Sequence, residues 1–492
     1  MIDLGKLNDE LAPFFRPRSV AVIGATNNIT KWGSLIFGHL LAGGFAGELY
    51  PIHPKEAEIL GRKVYPRIGD VPGPVDLAFI TLPATKVAGA LRECATKGVR
   101  AAVVITSDFS ETGAEGAARE REIVEVARAG GMRIVGPNTM GIASAEVALY
   151  GIGAPVTPAA GNISFISQSG NLGTQMLYWA DHEGLGICRF VGSGNEADLT
   201  LPEYLAWLGQ DEATRVILLY VEGIRDGRLF LDVAARVARE KPVLVLKTGR
   251  TQAGRRAAAS HTGSMAGARE VVEGAFRQAG LIRVDNPTEL IELAGAFTHL
   301  TPPRGNRVGI LTLGGGWGVV TSDHCNEAGL DLPPLPGDLV REFDGLLPPY
   351  WSRGNPVDLV GHLDLDIHIQ ILERMVASDA YDMVITLGSL GATDFVRRLM
   401  QIVSDNSAQV EPDARAKIIA DIQEKETDYL RDVKRLAAKY GKPIAAVSLE
   451  SGGAMIRDLG GGEQFVVFPT PERAVKALEK LYEYHRYRQR HA

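Results

Sequence analysis

Short apolar runs rich in valine, isoleucine and leucine alternate with segments of helical period along the whole chain, the pattern of parallel strands joined by crossover helices. The first run, Ser19-Val20-Ala21-Val22-Ile23, leads into a small-residue turn, Gly24-Ala25-Thr26, and a helical pattern after Gly33. Further strands are predicted at 48–52, 77–81, 101–105 and 133–135. Gly, Ala and Pro then cluster between 145 and 160, where a boundary is expected. A second set of strands follows at 162–166, 215–220, 242–246 and 281–284, with a helix holding Glu289 to Leu293. Beyond Thr301-Pro302-Pro303-Arg304-Gly305 a third set is predicted at 307–313, 383–387, 443–447 and 465–468. The basic tail from Tyr484 to Ala492 reads as a solvated helix end. The pattern predicts an α/β protein with parallel sheets, divided at 1–147, 148–302 and 303–470, with a C-terminal helix and tail at 471–492.

The second and third sets echo each other. Ile166-Ser167-Gln168-Ser169-Gly170-Asn171-Leu172-Gly173 lies over Leu311-Thr312-Leu313-Gly314-Gly315-Gly316-Trp317-Gly318. Their ends match too, Val284 with Pro287-Thr288-Glu289 against Phe468 with Pro471-Glu472-Arg473. The ends are spaced further apart than the starts, so the third set carries an insertion, expected in the polar helical stretch from Ala414 to Tyr440. The expectation is an internal duplication.

Each Gly-rich start is strand, small-residue loop, helix, which sets a helix N-terminus with free N–H groups at the carboxyl edge of a sheet. Ser169-Gly170 and Gly315-Gly316 are therefore candidate phosphate binders, and two such termini facing one another would trap an anion without a metal. The turn Gly24-Ala25-Thr26-Asn27 is the matching candidate in the first set, although it lacks the three-glycine dinucleotide fingerprint. A nicotinamide site also wants an acid at the end of the second strand. That strand ends Pro51-Ile52-His53-Pro54-Lys55, and the cation Lys55 suits a phosphate-bearing adenine nucleotide such as NADP or CoA rather than NAD.

Composition narrows the field further. Lys plus Arg is 52 and Asp plus Glu 59, a net charge of −7, with no dominant basic block to suggest nucleic acid. No apolar run reaches the ~20 residues of a membrane span, and residues 1–15 lack the apolar core of a signal peptide; a cytoplasmic location is expected. Three scattered cysteines imply neither a disulfide framework nor a zinc site, and no residue cluster suggests a bound metal. Glycine numbers 56 of 492, about 11% against a usual ~7%, consistent with backbone loops that approach a ligand. Among ten histidines, His261 stands apart. It lies in a basic, small-residue loop from Arg250 to Gly267, with no apolar face to pack on, which suits phosphoryl transfer. A histidine nucleophile needs a carboxylate on its other ring nitrogen. Glu222, at the end of an apolar strand, is the candidate.

These segments carry a family resemblance. Ser260-His261-Thr262-Gly263-Ser264-Met265-Ala266-Gly267 resembles the phosphohistidine segment of the α subunits of NDP-forming (ADP-forming) acyl-CoA synthetases, or acetate–CoA ligases, in the succinyl-CoA synthetase superfamily. Ser167-Gln168-Ser169-Gly170 and Thr312-Leu313-Gly314-Gly315-Gly316 are similar to that family's phosphate-facing helix starts. Gly136-Pro137-Asn138-Thr139-Met140-Gly141 and Asn355-Pro356-Val357-Asp358 are also family-like. The resemblance spans essentially the whole chain and implies a Rossmann-like CoA-binding domain at 1–147 and two flavodoxin-like ligase domains. It implies CoA contacts from Gly24, Ala25, Thr26, Asn27, Lys55 and the Ile105-Thr106-Ser107-Asp108 loop, a substrate role for Asn138, Thr174 near the acyl group, and pairing of Glu222 with His261. The implied reaction interconverts acyl-CoA, phosphate and ADP with carboxylate, CoA and ATP through an acyl phosphate and a phosphohistidine. No ATP-grasp module follows Pro471-Glu472-Arg473, so ATP/ADP and Mg²⁺ are expected on a separate β subunit, in a heterotetramer. Asp108-Phe109-Ser110-Glu111, Thr139-Met140 and Trp317 depart from the commoner forms of their loops and leave the acyl group open. A CoA-binding regulatory protein without turnover and an NADP-dependent oxidoreductase are the other readings of the same residues.

Overall fold

The computed structural model describes residues 2–249, 251, 253–254, 269–362, 364–406, 412–448 and 454–491. They form two compact units, divided between Ile291 and Glu292.

The first unit holds two sheets. The chain opens with helix α1 (Leu4–Phe15), capped by Asp3, whose carboxylate accepts from the Lys6 N–H. A five-stranded parallel sheet follows in the order β2-β1-β5-β6-β7: β1 (Ser19–Ile23), β2 (Glu48–Ile52), β5 (Leu77–Ile80), β6 (Ala101–Val104) and β7 (Arg133–Val135). Its crossover helices are α2 (Trp32–Ala42), α3 (Ala84–Lys97) and α4 (Ala114–Ala129), and β3 (Glu58–Ile59) pairs with β4 (Arg62–Lys63) in a small hairpin. The second sheet runs β14-β13-β12-β10-β11-β8-β9. Its parallel part is β10 (Ile163–Ser167), β11 (Ile187–Gly192), β12 (Val216–Val221), β13 (Val243–Lys247) and β14 (Ile282–Arg283). Its helices are α5 (Gly170–His182), α6 (Leu201–Gln210), α7 (Gly227–Glu240) and α8 (Arg269–Gln278). An antiparallel hairpin, β8 (Gly141–Ser144) and β9 (Leu149–Ile152), adds to the edge through β8 and β11. The expected division at 147/148 therefore falls inside a hairpin that belongs to the second sheet.

The strands are buried on both faces, as parallel sheets under crossover helices require. One apolar cluster runs from Val20, Phe79 and Val103 of the first sheet, through Leu7, Leu11 and Phe15 of α1 and Trp207 of α6, to Ile166 and Leu219 of the second. Phe15 stacks on Trp207 with ring centroids 4.4 Å apart. This continuous core is why two sheets form one unit.

The second unit follows α9 (Pro287–His299), within which the division falls. It carries a sheet ordered β16-β15-β17-β18-β20-β19. The strands are β15 (Val308–Thr312), β16 (Val357–Asp358), β17 (Met383–Leu390), β18 (Ile444–Ser448), β19 (Ile456–Gly460) and β20 (Glu463–Phe468); only β19 is antiparallel to its neighbour. The helices are α10 (Gly315–Glu327), α11 (Gly337–Phe343), α12 (Leu365–Ala377), α13 (Ala392–Asn406), α14 (Pro412–Tyr440) and α15 (Pro471–Arg490). The polar stretch expected to hold an insertion is α14, 29 residues long.

Numbered within itself, the parallel part of each sheet has the order 2-1-3-4-5, the flavodoxin-like arrangement. In such sheets the chain reverses its winding beside the first strand, which opens a crevice at that strand's carboxyl end. The three loops singled out in the sequence, after β1, β10 and β15, occupy those three positions.

Candidate active site

In the first sheet, Gly24 turns the chain out of β1 at φ +95°, a conformation that side chains disfavour, and its N–H donates to Ile52 at 3.0 Å. A Cβ on Gly33 would stand 1.9 Å from the Gly24 carbonyl oxygen. Gly33 thus provides the close helix–strand approach that the missing fingerprint glycine would have given. Thr26 and Asn27 are held by a residue that sequence reasoning passed over. The Glu56 carboxylate accepts from Thr26 Oγ1 at 2.8 Å, Asn27 Nδ2 at 2.6 Å and Asn27 N at 3.3 Å. The Thr26 bond keeps the Glu56 carboxyl below its ordinary range. The second strand therefore ends in a cation followed by an acid: Lys55 is exposed, and the adjacent carboxylate closes the turn.

The loop after β6 lies at the same carboxyl edge, since β1, β2 and β6 are parallel. Ile105 is buried, and Thr106 is anchored through its hydroxyl to Leu82 O at 2.6 Å. Ser107 is exposed. Asp108, at φ +78°, is held by Arg119 and by Glu111, which accepts from its N–H at 2.7 Å. Asn138 donates its N–H to Thr106 O at 2.8 Å and its side-chain amide to Asn195 at 3.3 Å. It thereby joins the first sheet's edge to the turn after β11.

In the second sheet the Ser167 hydroxyl donates across the turn to Ser169 O at 2.7 Å, and the Ser169 hydroxyl caps α5 by accepting from Leu172 N. Gly170 opens the helix with Met140 packed against it: a Cβ there would meet Met140 Cγ at 2.3 Å. Gln168 bridges this loop to the end of β12. Its Oε1 accepts from Glu222 N at 2.6 Å and Gly223 N at 3.0 Å, and its Nε2 donates to Gly223 O at 2.8 Å. Beneath Glu222, Lys247 donates to the carbonyls of Glu222 and Thr248, both at 2.7 Å. Burial lowers the Lys247 pKa, and the Glu222 carboxylate opposes that shift. The Glu222 backbone is thus pinned beside the start of α5. Thr174 is buried, and its hydroxyl bonds back to Gly170 O and Asn171 O within the helix. His261 lies outside the described residues.

In the second unit, Thr312 repeats the hydroxyl bridge of Ser167, donating to Gly314 O at 2.9 Å. Gly318 approaches Thr312 as Gly173 approaches Ser167. The two loops match residue for residue in the register read from the sequence. Helix α10 has no side-chain cap, and Gly315 and Gly316 are exposed. Helix α13 differs: its first N–H groups, from Gly391 to Thr393, bond the Glu426 carboxylate. The chain's own acid fills one helix start of this sheet and leaves the other open.

A CoA binding domain model matches residues 18–145, a succinyl-CoA ligase like flavodoxin domain model 160–297, and a ligase-CoA domain model 308–447. The α subunit of the ADP-forming acetate–CoA ligase II of Pyrococcus furiosus is 40% identical over 374 residues, 76% of this chain and 81% of that one. The ligase I α subunit of the same organism is 36% identical over 486 residues, 98% and 99% of the two chains. The dinucleotide-forming acetyl-coenzyme A synthetase 1 of Ca. Korarchaeum cryptofilum, solved with phosphate and ADP, superposes with a TM-score of 0.82 at 35% identity over 97% of each chain. The chain belongs to the α-subunit family of ADP-forming acyl-CoA synthetases.

Within this family's three-domain layout, the first sheet falls in the CoA-binding segment, and the two Gly-rich helix starts open the two ligase domains. Sequence reasoning did not single out Glu56 or Lys247 as site residues, and it missed the run Gly194-Asn195-Glu196-Ala197-Asp198. Lys247 had a legible signal, a cation closing an apolar strand. The run at 194–198 is polar in sequence, yet Glu196 and Asp198 are buried. Asn195 donates to Ser110, Glu111 and Glu120, while Asp198 accepts from Arg128, Arg133 and Ile134 N. Among the described residues, no group of three or more His, Cys, Asp and Glu side chains is arranged to hold a metal ion, and no helix is long and apolar enough to cross a membrane.

Proposed function

We propose that this chain is the α subunit of an ADP-forming acyl-CoA synthetase that interconverts acyl-CoA, phosphate and ADP with carboxylate, CoA and ATP, acting with an ATP-grasp β subunit in a heterotetramer. CoA lies against Gly24–Asn27, Lys55 and residues 105–108, at the carboxyl edge of the first sheet. A phosphate oxygen attacks the thioester carbonyl; the C–S bond breaks, and CoA leaves as the acyl phosphate forms. A ring nitrogen of His261 then attacks phosphorus and the carboxylate departs. The phosphohistidine passes its phosphoryl group to ADP on the partner subunit, where Mg²⁺ accompanies the nucleotide. The helix starts at Ser169-Gly170 and at Gly315-Gly316 each offer N–H donors suited to a phosphate. Asn138, at the seam between the first two sheets, is assigned to substrate. Thr174 shapes the acyl side through packing, its hydroxyl being engaged within α5.

The observation that carries this reading is Glu222, fixed by Gln168 and Lys247 beside the start of α5. A carboxylate there accepts the proton on the second nitrogen of His261, orients the ring and stabilises the charge that develops as phosphorus is attacked. The relatives' designation as α subunits supports a partner subunit.

Labelled ATP tests the scheme. The chain alone should stay unlabelled, and adding the β subunit should give an acid-labile phosphoprotein that His261→Ala abolishes. Glu222→Gln should slow labelling by about 10²-fold with CoA affinity little changed. Label on the chain alone, or acid-labile label persisting in His261→Ala, would overturn the assignment.

A further inference from the structure

The second sheet buries an acid that this mechanism does not use. Glu196 is 5% exposed and sits at φ +52°, a left-handed backbone rare for a glutamate. Its turn is bound from several sides: Ser193 N donates to Ser167 O at 2.9 Å, Asn195 N to Pro137 O at 2.9 Å, and Ala197 N to Gly136 O at 3.0 Å. The carboxylate accepts from Ser193 Oγ at 2.9 Å, Leu201 N at 3.1 Å and Gln168 Nε2 at 2.9 Å. A strained, desolvated acid whose side chain points at one particular amide calls for a reason beyond packing.

That amide is the link to Glu222. Gln168 faces two donors on its oxygen side, Glu222 N and Gly223 N, and two acceptors on its nitrogen side, Gly223 O and Glu196 Oε1. All four partners have the polarity of one amide orientation, and the reverse orientation would set donor against donor and acceptor against acceptor. A carboxylate is the strongest acceptor available to the NH₂ group, and a charge-assisted bond in a dry site is stronger than a neutral one. The same loop is tied a second time. Arg225, three residues beyond Glu222, donates to Glu196 O at 3.1 Å and Asn195 O at 2.5 Å. The turn at 193–196 and the loop at 222–225 are therefore clamped together around Gln168.

We propose that Glu196 is a positioning residue for phosphoryl transfer: through Gln168 it fixes the backbone from which Glu222 reaches toward the phosphorylated histidine. This rests on the reading of Glu222 given above. The Glu196 carboxylate is engaged by Ser193, Leu201 and Gln168, so it acts through them. Its effect should appear in the rate of the transfer step rather than in substrate affinity.

The test uses the chain assembled with its β subunit, measuring single-turnover phosphorylation by labelled ATP, KM for phosphate and acyl-CoA, and CoA affinity by calorimetry. Glu196→Gln keeps the shape but brings an NH₂ group among three donors, so one of them loses its acceptor. The transfer rate should fall about tenfold or more, the scale of about 1.4 kcal/mol, with KM and CoA affinity nearly unchanged. On a Glu222→Gln background the same change should add nothing, because residues that act as a unit are non-additive. A folded Glu196→Gln enzyme at the wild-type rate, or losses that multiply in the double variant, overturns the proposal. If Glu222→Gln alone runs at the wild-type rate, the underlying reading falls whatever Glu196 does. Should Glu196→Gln fail to fold, Gln168→Ala cuts the same link while leaving Glu196 its bonds from Ser193 and Leu201, and it should reproduce the rate loss and the non-additivity; a wild-type rate there overturns the proposal equally.

Discussion

Glu56, Glu196 and Glu222 are the same side chain in three surroundings, and the surroundings set what each can do. Glu196 is dry and accepts three hydrogen bonds, so burial pushes its pKa up while Gln168 and Ser193 pull it down. Glu222 is half-buried, with its backbone pinned. Glu56 is solvated and bonded to the turn that it closes. Its folded pKa is lowered, first by Thr26 and against desolvation, which raises it. Its hold on that turn is therefore complete at neutral pH and is lost as pH falls through the lowered carboxyl value. Glu56→Gln should weaken CoA binding roughly two- to fivefold at neutral pH, the usual scale for exposed charge contacts. In acid the difference between variant and parent should vanish. Calorimetry across the pH range checks this, and a difference that grew in acid would exclude a role for the ionised group. The acid was present in the sequence one residue past Lys55. It went unassigned because nothing along the chain shows that β2 delivers residue 56 onto residues 26 and 27.

At the scale of elements, one solution recurs. A strand ends, a small-residue turn follows, and a glycine early in the next helix lets that helix press on the strand. Gly33, Gly173 and Gly318 fill that last position, with added Cβ atoms meeting neighbours at 1.9, 2.9 and 3.1 Å. Gly33→Ala should cost about 1–3 kcal/mol or more by overpacking, because the obstructing atom is backbone and cannot swing away. Gly89, exposed within α3 and with open space at its Cβ position, provides the contrast. Gly89→Ala should stabilise by about 0.5–1 kcal/mol. Thermal unfolding of both variants is the check, and equal effects would refute the packing argument. The strands at 77–81, 101–105 and 215–220 were legible because parallel strands buried on both faces read as apolar runs. Strand β11 was not, since Arg189 interrupts Ile187-Cys188-Arg189-Phe190. In the fold that arginine is wholly buried, paired with Glu146 and Asp211 from distant segments. Strand β9 falls inside the boundary expected at 145–160, because the glycines and alanines there, which admit close neighbours, also mark loops.

For the whole molecule, three sets of strands resolve into two compact units because the first two share a core. Helix α1 and Trp207 supply its middle, and Asp198 supplies its polar seam. Asp198 lies after β11, yet its buried carboxylate accepts from Arg128 at 2.8 Å, Arg133 at 2.9 Å and Ile134 N at 2.8 Å, all at the end of the first sheet's last crossover. Removing it leaves the Ile134 amide without its acceptor in a dry place, while Arg133 keeps Glu10 and Glu203 and Arg128 faces solvent. Asp198→Ala should lower stability by about 1–3 kcal/mol, read as an earlier midpoint in denaturant. A shift worth less than ~1 kcal/mol would show that the seam is held by the apolar core alone.

The sequence by itself determined the fold class, the three sets of parallel strands, the loops at their switch points and the matched starts of the two flavodoxin-like parts. These depend on short-range periodicity and on glycine at turns, which are written locally in the chain. The tertiary structure alone decided which polar residues work together. Gln168, Glu196 and Glu222 are separated by up to 54 residues, and Asn195 meets Glu111 and Glu120 across two sheets. A buried hydrogen bond has no periodicity and leaves no mark on its neighbours. Its partners become visible only when parallel strands bring their carboxyl ends to one edge.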